Sequence, residues 1–308
     1  MSDQLVLETN GLTKTYNGVN AVNQVNMHIQ KGDIYGFVGE NGAGKTTIIR
    51  IVAGLARPTS GTFSLYGIPN TDPKINQVKA KIGGIVEAVS LNRSLTAIEN
   101  LLLQCKIAGV KKTNEELKQL LERVGLGDVA TNKKAGQFSL GMRQRLGIAS
   151  VLLSNPDFIL LDEPMNGLDP QGFIDMRELI QKLNNEGVTF LISSHILSEL
   201  DKVCTRVGFI RHGELLEELS IEELRDKSKR KLVISSKNIG ELQDILKKAI
   251  NPTSMVVNEK EVILYDDFDI NATMKAIVKN NIQVDSFNVI EETIEDYYAH
   301  LMIRGKQQ

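Results

Sequence analysis

Gly39-Glu40-Asn41-Gly42-Ala43-Gly44-Lys45-Thr46-Thr47 satisfies the pattern G-x-x-x-x-G-K-[ST] at every specified position. Ahead of it, Ile34 to Val38 is an apolar run with the look of a buried strand. Behind it, Ile48, Ile49, Val52 and Leu55 recur at helical spacing. Strand, glycine-rich loop and helix form the context this pattern needs. Gly39, Gly42 and Gly44, with Asn41 and Ala43 between them, let the backbone wrap a phosphate chain and aim its N–H groups inward. The helix that begins near Lys45 adds its positive end, with Thr46 and Thr47 in its first turn. Lys45 is expected on the β- and γ-phosphates and the Thr46 hydroxyl on Mg²⁺. The stretch predicts a nucleoside triphosphate site.

Bulk properties narrow the remaining question. The chain has 308 residues, enough for two domains. Apolar content of 42% and charged content of 24% are ordinary for a globular protein. A formal net charge of −2 argues against a nucleic-acid binder that works through a basic field. Met1 to Thr15 lacks the long apolar core of a signal peptide. No segment approaches the roughly 20 apolar residues of a spanning helix, so the expected location is soluble, or peripheral to a membrane. Cys105 and Cys204 show no ligand spacing and read as buried small residues in a reducing cytosol.

Strands are expected at Leu5 to Glu8 and Gly18 to Ile29, with Tyr16 an isolated aromatic at a strand end. Such a ring either stacks on adenine or is a half-buried surface tyrosine. Thr62 to Tyr66 and Lys81 to Glu87 read as further strands, Leu95 to Ile107 and Thr113 to Val124 as helices. The second helix begins with a capping box, Thr113 and Glu116. Ser139 stands where another helix would begin, as a simple N-cap or, with Gly141, as a second anion site. Phe158 to Leu161 is a buried central strand that ends in Asp162-Glu163. Two adjacent acids there are costly unless used. Asp162 suits a Mg²⁺ shell, and Glu163 suits the base that orients water for attack on the γ-phosphate. Asn166 to Pro170 is a turn, Phe173 to Leu183 a helix, and Val188 to Ser193 a strand leading to His195, a candidate γ-phosphate contact.

These pieces, in this order over about residues 4 to 220, resemble the ATP-binding cassette of ABC transporters. In the family's terms Tyr16 resembles the adenine-stacking aromatic and Gly39 to Thr47 the Walker A loop. Ser139, Leu140 and Gly141 fall on the signature motif, and Asp162 and Glu163 end Walker B. Asp169 resembles the D-loop acid and His195 the switch histidine. Two departures stand out. Glu87 replaces the usual Gln at the end of the strand before the helical subdomain; a carboxylate there binds Mg²⁺ or orders water with a charge that an amide lacks. The signature reads Phe-Ser-Leu-Gly-Met rather than Leu-Ser-Gly-Gly-Gln. Together they resemble the bacitracin-resistance and lantibiotic-immunity branch.

The resemblance implies an α/β P-loop NTPase cassette over 1–220: a RecA-like core, an antiparallel β subdomain and a helical subdomain near 88–155. It implies ATP and Mg²⁺ as ligands, with Glu163, His195 and Glu87 catalytic and Thr46, Asp162 and Glu87 near the metal. It further implies a second cassette packed head to tail, from a second copy or a related chain. A separate integral membrane permease would carry the substrate, an exported antimicrobial peptide or other amphipathic compound. The cassette would lie on the inner face of the cell membrane.

After Gly213 the composition shifts. A basic run, Arg225 to Lys231, reads as part of a solvated linker over 221–231. From 232 to 308 the order of expected elements, βαββαβ and a last helix from Thr293 to about Arg304, gives a small ferredoxin-like α+β domain. It carries no catalytic constellation and reads as a packing or dimer-stabilising appendage. The competing function is a soluble cassette ATPase acting on the ribosome or DNA. Ribosome-acting relatives usually join two cassettes in one chain, and DNA-repair relatives insert long heptad coils; neither feature is present. No Asn-Lys-x-Asp base-reading motif of a GTP switch occurs either.

Overall fold

The computed structural model describes residues 4–129, 131–195, 197–227, 230–250, 252, 254–265, 268–291, 296–298 and 301. The first strand, β1 (Leu5–Tyr16), runs well past the Leu5 to Glu8 expected from the sequence. Asn17 and Gly18, at φ 49° and 81°, turn it into β2 (Val19–Val25), and β3 (His28–Gln30) continues along the same edge of β1. Next come β4 (Ile34–Val38), buried throughout, and α1 (Lys45–Val52). A hairpin, β5 (Ser60–Leu65) and β6 (Ile68–Pro69), completes an antiparallel sheet of order β2-β1-β5-β6, with β3 on β1. A short helix, α2 (Ile75–Lys79), and β7 (Ile82–Ile85) follow.

Three helices form the helical part: α3 (Ala97–Ala108), α4 (Asn114–Arg123) and α5 (Leu140–Leu152). Then β8 (Phe158–Asp162), α6 (Pro170–Asn185), β9 (Thr189–Ser194) and the one-turn α7 (Leu197–Leu200) alternate, before a hairpin of β10 (Arg206–Arg211) and β11 (Glu214–Ser220). The central sheet has the order β11-β10-β4-β9-β8-β7, parallel throughout except for β11. Strands buried on both faces read as unbroken apolar runs, which is why β4, β8 and β9 stand out in the sequence. The face of α1 that carries Ile48, Ile49, Ile51 and Val52 seals this sheet against the antiparallel one, where Leu7, Leu12, Val22 and Met27 join the core.

The chain divides into two compact units, Met1–Ile221 and Glu222–Gln308. Residues 221–231, expected as a linker, instead hold a helix, α8 (Ile221–Lys227). Ile221 and Leu224 are buried, and Glu222 and Glu223 favour the positive first turn, so the helix has both an apolar side and a matched end. Ser228 and Lys229 of the basic run lie outside the described residues. The second unit contains β12 (Arg230–Ser235), α9 (Ile239–Ala249), β13 (Ser254–Val257), β14 (Glu261–Tyr265), α10 (Ile270–Lys279) and β15 (Ser286–Glu291). Its antiparallel sheet has the order β13-β14-β12-β15. Its own core joins Leu232, Ile234, Leu242, Leu246, Val262 and Leu264. The helix expected over Thr293 to Arg304 falls mostly outside the described residues.

Candidate functional site

Adjacent parallel strands β4, β9, β8 and β7 all end at one edge of the central sheet, where an open α/β sheet presents its ligands. The loop after β4 is pressed onto its surroundings. A Cβ on Gly44, at φ 109°, would stand 2.4 Å from the Ala21 carbonyl oxygen, so only glycine fits. No side chain caps α1 and no acid occupies its first turn, which leaves its N–H groups to an anion. Lys45 is 5% exposed and donates to the Gly39 and Glu40 carbonyls at 2.6 and 3.1 Å. Its ammonium is 3.5 Å from Glu163 Oε1.

The end of β8 meets the ends of β9 and α1. Thr46 donates its hydroxyl to Asp162 Oδ1 at 3.1 Å, and Ser193 donates to the same oxygen at 2.6 Å. Ser193 Oγ in turn accepts from the Glu163 N–H at 3.0 Å. Glu163 sits at φ 49°, a conformation a non-glycine residue adopts only when held, and Ser193 holds it. Its Oε2 lies 2.7 Å from His195 Nδ1. Lys45, Thr46, Asp162, Glu163 and His195 therefore share one cluster. Ser193, which the sequence reading missed, ties two of them together.

The remaining expected residues stand apart from it. Glu87, after β7, has φ 67°, is more than half exposed and pairs with the Arg50 guanidinium on α1. Tyr16 is exposed, with the Lys14 ammonium 4.9 Å from its ring centroid. Ser139 is the exposed N-cap of α5 and accepts from the Met142 N–H at 3.2 Å; Gly141 lies in the first turn behind it. Asp169 caps α6 in the same way, accepting from the Gly172 N–H at 3.0 Å. The single chain thus uses Ser139 and Asp169 as helix caps.

The Thr46 hydroxyl and the buried Asp162 carboxylate, 3.1 Å apart, form a hard oxygen pair of the kind Mg²⁺ takes. Among the described residues no group of three His, Cys, Asp or Glu could hold a metal alone. A nucleotide-bound Mg²⁺ needs only one or two protein oxygens beside the phosphates, so the pair fits. Among the described residues, too, no helix is long and apolar enough to cross a membrane.

The ABC transporter family model matches residues 22–166. The chain is 39% identical over 303 residues to the bacitracin transport ATP-binding protein of Bacillus licheniformis, covering 97% of this chain and 98% of that one. It is 41% identical over 213 residues to the lantibiotic transport ATP-binding protein of Streptococcus pyogenes, covering 69% of this chain and 90% of that one. An ABC transporter ATP-binding protein of Bacillus subtilis without an assigned role is 40% identical over 300 residues, with 96% and 97% covered. Among solved structures, a dimeric post-hydrolysis ATP-binding cassette bound to ADP and Pi is similar at a TM-score of 0.62 and 27% identity, over 70% of this chain and 98% of that one.

Proposed function

We propose, for a chain that belongs to the ABC transporter ATP-binding family, that it powers a separate membrane permease which exports an antimicrobial peptide of the bacitracin or lantibiotic kind. As a member of that family it binds ATP and is an ATPase. What carries the export reading is the extent of the match to the bacitracin transport subunit, which runs through the second unit as well as the cassette. We read that second unit as a ferredoxin-like accessory domain. The protein would work from the inner face of the cell membrane, as half of a head-to-tail pair of cassettes.

In this reading the N–H groups of the loop and Lys45 hold the β- and γ-phosphates, and Tyr16 offers its ring to the base. Thr46 and Asp162 would hold Mg²⁺, which supplies charge neutralisation on the phosphate oxygens. Glu163 accepts a proton from water as the water oxygen bonds to the γ-phosphorus and the bond to the ADP oxygen breaks. His195, 2.7 Å away, fixes which Glu163 oxygen faces that water. Ser139 and Gly141 meet the γ-phosphate held by the partner cassette, and hydrolysis releases that contact. Glu87, at the edge of the helical part, contributes charge near the metal once it leaves Arg50.

Glu163→Gln protein, tagged and held with ATP and Mg²⁺, is to be recovered from detergent-solubilised membranes of its own cell. A stoichiometric integral membrane protein is expected in the eluate. Recovery only from the soluble fraction, with ribosomes or DNA-bound proteins, would overturn the export reading.

A further inference from the structure

The second unit leaves apolar surface uncovered at one edge of its sheet. α9 joins β12 to β13 and packs on β14, while α10 joins β14 to β15 across β12 and packs beside α9. α10 therefore takes the β15 half of the sheet. Its buried side carries Thr273, Ala276 and Ile277. Ile270, Met274 and Val278, each about one turn from the next, line a flank exposed by 40%, 47% and 73%. β15 stands at the end of the strand order and, among the described residues, pairs with β12 alone. Val289 lies opposite Leu232, and Phe287 opposite Ile234. Both β12 partners belong to the core, so Val289 is on the helix-covered face. It is nonetheless 43% exposed, so the cover stops short of the edge.

An open edge presents a row of N–H and C=O groups to any passing strand, and proteins that stay single blunt it with lysine, proline, a bulge or brevity. β13, at the other edge, is four residues long and begins shortly after Pro252. β15 has none of these devices. It runs six residues against β12 without a break in register, and Ser286 to Ile290 carries neither charge nor proline. We propose that β15 pairs antiparallel with β15 of a second copy of this chain, joining the two sheets into one, with the α10 flanks meeting above the joint. A second copy suits this edge in three ways. A two-fold axis through Val289 sets Val289 against its own counterpart, Asn288 against Ile290 and Phe287 against Glu291, with no like charges opposed. Strands lie about 4.8 Å apart, so two helices, each seated over a β12–β15 half, come within the roughly 10 Å at which helices pack. Those helices run antiparallel, which brings Asp269 at the start of one toward Lys279 at the end of the other. An extended segment of an unrelated protein would satisfy the β15 backbone and leave the α10 flank bare. The pairing needs no nucleotide and stands apart from the head-to-tail reading above.

The test is sedimentation of the full chain without nucleotide. A concentration-dependent dimer is expected. Val289→Lys, which puts a charge on the edge, and Met274→Glu should each raise its dissociation constant at least about tenfold. Val256→Lys, an exposed position on the β13 edge, should leave it unchanged. Val289→Cys gives a readout that does not rely on weakening anything. Residues opposed in an antiparallel pair have Cα atoms about 4.5 to 5.5 Å apart, within reach of a disulfide. Mild oxidation should capture Val289→Cys as a covalent dimer and leave Val256→Cys monomeric, since the native Cys105 and Cys204 are buried. A chain that sediments as a monomer throughout, a dimer indifferent to Val289→Lys and Met274→Glu, or equal cross-linking of Val289→Cys and Val256→Cys would overturn the proposal. With ATP left out, the cassette pair of the reading above contributes to none of these outcomes, so the two stand or fall separately.

Discussion

At the scale of single residues, the proposed reaction turns on Glu163. Its glutamine substitute keeps an oxygen and a nitrogen for His195 but cannot take a proton from water. Phosphate release should fall at least about 100-fold, with ATP binding retained; unchanged turnover would remove Glu163 as the base. Asp162→Asn should raise the Mg²⁺ concentration needed for half-maximal turnover, read by metal titration at fixed ATP. Away from the site, burial pushes the Asp33 carboxyl above its ordinary 3.8, against the opposing pull of the Gln30 N–H, Arg206 and Thr205. The native state then holds that proton more tightly than the unfolded chain. Stability attached to it is complete below the ordinary value and is lost as pH rises through the raised one. Asp33→Asn keeps an oxygen for the Gln30 N–H and removes the loss. Its urea midpoint, relative to wild type, should therefore climb with pH across that window. Lys45, Thr46, Asp162, Glu163 and His195 were legible because each follows an apolar strand at the same sheet edge. Ser193 was not. Its role depends on the register that sets it opposite Asp162, and register is a property of two strands that no single stretch contains.

At the scale of elements, caps and turns were the clearest local signals. Thr113 and Glu116 form the expected capping box, and Thr96 with Glu99 forms another that was passed over because the helix was started at Leu95. Thr113→Ala should cost about 1 kcal/mol of unfolding free energy, read from urea melts. Asn17-Gly18 carries the signal of a two-residue hairpin and explains the sharp return from β1 to β2. The length of β1 was hidden by Asn10-Gly11, which look like a break. Gly11, at φ 55°, instead accompanies a register shift against β5 between Asn10 and Thr13, a bulge that bends the strand without ending it. α2 and α8 were missed for a related reason. One follows a proline-rich loop and the other sits in a run of charge, and both owe their form to a few buried residues, Ile75 in the first and Ile221 and Leu224 in the second.

At the scale of the molecule, two units with separate cores predict two calorimetric transitions. ATP with Mg²⁺ should raise the one that belongs to Met1–Ile221, by up to about 2.7 kcal/mol of stability at a hundred times the dissociation constant, and leave the other in place. A single transition that shifts as a whole would show the units unfold together. The thiols report on the first unit from inside. Cys105 and Cys204 are both buried, and burial pushes both thiols up, Cys204 far more. Neither should react with a maleimide at neutral pH until that unit opens. The placement of Lys45, Thr46, Asp162, Glu163 and His195 at one edge of the central sheet has a further consequence, one of heredity. Changes in the loops after β4, β8 and β9 are expected to act on turnover, and changes in the turns at the other edge, such as the one at Gly187 before β9, on stability. A lineage carrying this gene can drift along one rim of the sheet and is held still along the other.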